Sequence, residues 1–90
     1  MRYIQVKYDI YKKANYKTKD SLIKYLKRRE SIAAIPGSFI DPFTNQKLNM
    51  NKVFSDGKYE WDESLAFLVE KYNIYISQDF LIHAGIEILS

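Results

Sequence analysis

The chain has no cysteine, three glycines, two prolines and a single histidine. Without cysteine there is no disulfide to staple a small core and no thiolate to act as a nucleophile or metal ligand. Packing alone must hold the fold, which predicts a reducing, cytoplasmic compartment. The N-terminus, MRYIQVKYDIYKK, carries no apolar run of signal-peptide length. No segment approaches the roughly 20 apolar residues of a membrane span, so no membrane partner is expected. One His83 without cysteine leaves no zinc-type ligand spacing, and no phosphate-cradling glycine loop or dinucleotide fingerprint is present. Paired carboxylates are conceivable among Asp41, Asp56, Glu60, Asp62 and Glu63, but turns and a helix cap account for several of them. These absences predict a chain that is not an enzyme and holds no metal or other cofactor.

What is present is a folding composition. Of 90 residues, 47% are hydrophobic and 16% aromatic, with eight Tyr and five Phe. This length predicts one domain, residues 1–90, with a thin core. Two readings of the aromatics stand side by side. They fill a small core with large side chains, or several of them line an interface, where tyrosine gives contact area at low entropic cost.

The net charge of +3 hides an asymmetry. Residues 1–33 hold ten Lys/Arg against three acids, giving +7, and residues 34–90 hold four Lys against eight acids, giving −4. Either the two halves face each other within the molecule, or the basic part is a surface for phosphates. For the second reading the candidate nucleic-acid contacts are Lys24, Lys27, Arg28 and Arg29, interleaved with tyrosines able to stack on bases. No named nucleic-acid-binding motif accompanies them.

Pattern along the chain predicts an α+β fold with two or three helices and a few short strands. Ile4, Val6, Tyr8 and Ile10 alternate with polar residues, as in a half-buried strand, although Ile4, Tyr8 and Tyr11 also share a helical face. A helix capped by Thr18 or Asp20 is expected to run to about Glu30, with Leu22, Ile23 and Leu26 inward. Residues 35–57 are rich in turn formers yet keep Phe39, Ile40, Phe43, Leu48, Val53 and Phe54. This predicts an ordered irregular segment pinned to the core, with turns at Asp41-Pro42 and Asp56-Gly57. The second turn leads into a strand around Tyr59–Trp61. Asp62 is the expected cap of the clearest helix, in which Leu65, Leu68, Val69 and Tyr72 recur on one face. Asn73 stops it, Ile74–Ile76 extend, and Ser77 caps a last helix burying Phe80, Leu81, Ala84 and Ile88. Gly85 is a place for that helix to end and for residues 86–89 to extend.

Residues 55–83, SDGKYEWDESLAFLVEKYNIYISQDFLIH, carry an Asp-Gly turn, an aromatic–x–Trp strand, a helix ending in Val69-Glu70-Lys71-Tyr72, and an extended link into a Phe80-bearing helix. This run resembles small bacterial immunity proteins found beside polymorphic or contact-dependent toxins. It departs from them at Asp62 and Ser77, where those proteins often carry proline. The resemblance covers about a third of the chain and rests on structural motifs. It implies a binding protein that neutralises a cognate toxin domain by occlusion. Such proteins often mask a basic nuclease with acids. The expected partner-binding residues are therefore Asp56, Glu60 and Glu63 around Tyr59 and Trp61, with Asp62 beside them. Trp61 is equally readable as core.

Overall fold

The structure, a computed structural model, describes residues 2–89. Strands β1 (Ile4–Gln5) and β2 (Tyr8–Lys13) precede helix α1 (Lys19–Leu26). The short strands β3 (Ala33–Ala34), β4 (Phe39–Ile40) and β5 (Lys47–Leu48) lead to β6 (Lys52–Ser55) and β7 (Tyr59–Asp62). Helix α2 (Ser64–Tyr72), β8 (Ile74–Ile76) and α3 (Gln78–Ala84) complete the order. The strands form a mixed sheet in the order β1-β7-β6-β3 and two separate pairs, β2-β8 and β4-β5. With three helices this is the expected small α+β domain.

The N-terminal alternation does not form one strand. β1 pairs parallel with β7, Ile4 opposite Tyr59, and β2 pairs antiparallel with β8, Tyr8 opposite Ile76. The chain changes sheets at Val6 and Lys7. The Val6 N–H donates to Glu60 O, while Lys7 O accepts from Ser77 N–H. A change of sheet breaks the period-two rule, which assumes one continuous sheet face. Val6 alone of the four expected residues is fully buried, Ile10 is half-buried, and Ile4 and Tyr8 are exposed.

α1 also departs from expectation. Thr18 stands at its N-cap without a side-chain cap bond, and the helix ends at Leu26, not near Glu30. The reason lies across the fold. The Trp61 indole N–H donates to Leu26 O at 2.9 Å, satisfying a last-turn carbonyl that a longer helix would have used itself. Leu22 and Leu26 are buried, as the apolar stripe required.

Residues 35–57 are ordered by turns, but fewer of their apolar residues reach the core than expected. Val53 and Phe54 are buried, Phe39 and Leu48 half-buried, and Ile40 and Phe43 exposed. The buried Asp41 carboxylate makes the first turn. Its Oδ1 accepts the Phe43 and Thr44 N–H groups at 2.8 and 3.3 Å, and its Oδ2 accepts the Tyr72 hydroxyl at 2.6 Å. The loop is thereby tied to α2. At the second turn Gly57, with φ +99°, takes the positive-φ position of the β6–β7 hairpin.

α2 starts one residue later than expected, with Glu63 at its N-cap. Asp62 lies in β7 instead, paired with Val53, because the hairpin keeps it extended. Leu65, Leu68 and Val69 are buried and Tyr72 is half-buried. Asn73 ends the helix in the left-handed region, φ 53°, ψ 43°. Gly85 ends α3 in the same way, φ 76°. The tail then extends: Glu87 O accepts Lys17 N–H and Leu89 N–H donates to Asn15 O. Tyr16 lies under this tail, buried. Its hydroxyl donates to Ile74 O at 2.6 Å and accepts Ile76 N–H at 3.0 Å, locking β8 in place.

Candidate functional site

The expected partner-binding residues divide by depth. Trp61 is 1% exposed and Tyr59 5%, and both belong to the hydrophobic core. Trp61 packs on Tyr25 (ring centroids 6.1 Å apart) and edge-on to Phe80 (5.5 Å). Tyr59 packs against Phe80 at 5.2 Å and His83 at 5.1 Å. Alternation along β7 turns these two aromatics inward and leaves Glu60 and Asp62 half-buried on the other face. The sheet's pleat thus gives Trp61 the core, one of its two expected readings, and corrects Tyr59, which is an interior group and no surface anchor.

Asp56 is interior as well, its side chain only 3% exposed. Oδ1 accepts the Lys58 and Tyr59 N–H groups at 2.9 and 2.8 Å. Oδ2 accepts the Tyr25 hydroxyl at 2.5 Å and lies 3.0 Å from His83 Nε2. One carboxylate therefore joins α1, the β6–β7 hairpin and α3. Burial alone would raise its pKa. The Tyr25 hydroxyl, the two amides and His83 outweigh burial and hold it below the usual carboxylate value. Burial, then the bond to Asp56, pushes the Tyr25 hydroxyl up to about 12. The His83 side chain, 32% exposed, thus lies against the buried Asp56 carboxylate at the surface end of this cluster. In the sequence Asp56 is a turn residue and possible surface contact, and His83 is the chain's single histidine. Nothing in their spacing signals that the fold joins them.

Of the expected acids, Glu60, Asp62 and Glu63 are half-buried and keep access to solvent. Glu63 Oε1 accepts the Lys52 backbone N–H at 3.3 Å. The basic candidates divide too. Lys24 and Arg29 are exposed on and after α1. Lys27 pairs with Glu70 at 3.7 Å. Arg28 is half-buried and folded back, its guanidinium carbon 4.5 Å from the Tyr25 ring centre and 5.7 Å from that of Trp61. Lys17 meets Glu87 at 3.5 Å. Part of the basic third is thus matched within the molecule by the acidic remainder.

The surface shows a feature the patterns did not reveal. Ile32, Ile35, Ile40 and Phe43 are 47%, 51%, 57% and 42% exposed, so residues 32–43 present four large apolar side chains to solvent. They surround β3, an edge strand of the main sheet, and β4. A hollow of about 190 Å³ lies along this run, lined by residues 35–39, Met50–Lys52, Asp62 and Ser64. A groove of about 280 Å³ opens on the other side of Met50 and Lys52, and Lys27, Arg28 and Glu63 line it. The signal was available in the sequence, since IAAIPGSFIDPF mixes large apolar residues with turn formers, but such residues are also what pins a loop to a core.

Among the described residues no group of three His, Cys, Asp or Glu could hold a metal ion, and no helix is long and apolar enough to cross a membrane. The chain matches no protein-family model, no curated protein and no solved structure.

Proposed function

We propose that the chain is an immunity-type binding protein that neutralises a cognate bacterial toxin domain by occluding it, and that it docks through the exposed run of residues 32–43. The observation that carries this reading is the exposure of Ile32, Ile35, Ile40 and Phe43 within one stretch of the chain, residues 32–43. A contiguous exposed apolar patch marks a protein contact surface, and Ile32 and Ile35 on either side of β3 with Ile40 in β4 are the side chains such a patch would use. Desolvating them supplies affinity, and nearby charges supply selectivity and speed. Asp62 lines the hollow beside this stretch and Glu63 the groove next to it, so acids expected to face a basic toxin stand close to this run. The likeness of residues 55–83 to toxin-neutralising proteins supports the choice of partner.

The other reading is nucleic-acid binding by the basic N-terminal third. Lys24 and Arg29, exposed and in no ion pair among the described residues, support it.

Co-expression tests the proposal. This chain, produced together with the toxin domain encoded beside its own gene, is expected to restore growth that the toxin alone abolishes. Absence of protection, with the chain folded and present, overturns the immunity reading. A mobility shift of short DNA or RNA that fades steeply with salt would then favour nucleic acid.

A further inference from the structure

The groove between α1, β6 and α2 has a chemistry of its own. Leu26, Phe54 and Ala66 are buried side chains at its base, and the half-buried Met50 and Phe67 complete the apolar lining. Charge lies at the rim: Lys27, Arg28 and Lys52 against Glu63 and Glu70. Those five are not equivalent. Lys27 and Glu70 answer each other at 3.7 Å, and Glu63 Oε1 turns to the Lys52 backbone N–H. The side chains of Arg28 and Lys52 enter no ion pair among the described residues.

Arg28 is the unusual member. Its guanidinium is fixed over the faces of Tyr25 and Trp61, so little conformational freedom remains to be lost when it binds an anion. Its Nε is buried and has no hydrogen-bond acceptor. A cation already partly stripped of water, held rigidly and lacking a carboxylate partner is matched by an anionic ligand. An apolar floor with a few charged groups on its rim is a usual composition of a small-molecule site, and about 280 Å³ accommodates a single ring with a short chain.

We propose that this groove binds a small organic monoanion, an aromatic or short aliphatic body ending in a carboxylate. The body lies on Leu26, Phe54, Ala66 and Phe67, and the carboxylate faces Arg28 and Lys52. The site does not depend on the toxin-binding reading and persists if that reading fails.

Titration of the isotopically labelled full chain, followed by amide chemical shifts, tests it with three probes of one shape: 4-phenylbutyrate, 4-phenylbutan-1-ol and 4-phenylbutylamine. The acid is expected to give saturable shifts at the amides of Leu26, Lys27, Phe54, Ala66 and Phe67. The alcohol is expected to bind about fivefold more weakly and the amine more weakly still, as partly exposed ion pairs allow. Lys52→Gln, a change at an exposed side chain, is expected to weaken the acid about threefold and leave the alcohol unchanged. Arg28→Gln is expected to do so more strongly. Should Arg28→Gln disturb the aromatic stack, Lys52→Gln still reads the charge requirement. Equal binding of the three probes, shifts centred elsewhere, or an acid affinity indifferent to Lys52→Gln would each overturn the proposal.

Discussion

The Trp61 indole donates its N–H to the carbonyl oxygen of Leu26 at 2.9 Å, so a residue of the β6–β7 hairpin terminates a helix that lies far from it in sequence. Both groups are buried, and water cannot replace either partner. Trp61→Phe keeps a ring in the core but orphans the carbonyl and leaves a small void. A loss of about 2–4 kcal/mol in unfolding free energy is expected. Urea unfolding followed by circular dichroism measures it. A change within experimental error would mean that the indole bond does not anchor α1.

The phase of α2 carries a second expectation. Leu68 is 1% exposed and faces the core with Leu65 and Val69. Leu68→Ala is expected to cost about 2–5 kcal/mol, the range for buried leucines. Lys24 is exposed on α1 and enters no ion pair among the described residues, and Lys24→Ala in the same assay is expected to cost far less.

Acid sensitivity follows from two buried carboxylates. Asp41 and Asp56 are each held below the ordinary value by hydrogen bonds from a tyrosine and two amides, with Lys71 and His83 adding to them. A depressed folded pKa adds stability that is fully present above the unfolded value, about 3.9. That stability drains away as pH falls through the lower folded values. The urea midpoint is therefore expected to be flat near neutrality and to drop below about pH 4. Asp56→Asn is expected to be less stable at pH 7 and to show a shallower acid decline. An acid decline as steep as the wild type's would remove Asp56 from this account.

Base acts on the hydroxyls. Tyr16, Tyr25 and Tyr72 are each pushed up to about 12, Tyr16 and Tyr25 chiefly by burial and Tyr72 chiefly by its bond to Asp41. Since the folded values are raised, their contribution is intact below the ordinary value of about 10 and is lost as pH rises from there through the folded values. Absorbance at the phenolate band is expected to show a group of tyrosines ionising only together with unfolding. Ionisation of all eight as one class near pH 10 would contradict the buried hydrogen bonds.

Much of the fold was legible because local rules and tertiary demands agree over residues 53–85. The Asp-Gly turn, the α2 stripe from Leu65 to Tyr72, the stop at Asn73 and the end of α3 at Gly85 each follow from one or two residues. Elsewhere a distant partner decided. Val6 and Lys7 change sheets because β7 and β8 wait on different sides, and α1 ends where Trp61 takes its carbonyl. Asp56 meets Tyr25 and His83 through chain reversals that no spacing rule encodes. The candidate surface was the least legible part. Tyr59 and Trp61 offered the strongest interface composition, and pleating turned them inward, while Phe39, Ile40 and Phe43 read as part of a segment, residues 35–57, pinned to the core.

The proposed contact surface is tested most directly by Ile35→Asp together with Ile40→Asp, set against the cognate toxin domain that the proposal requires. Both side chains are more than half exposed, so the double variant is expected to unfold within a few degrees of the parent chain. Its affinity for the toxin domain, measured by calorimetry, is expected to fall by about a hundredfold, the scale of a disrupted apolar centre. Toxin binding at parental affinity by the folded double variant would contradict the claim that residues 32–43 form the docking surface.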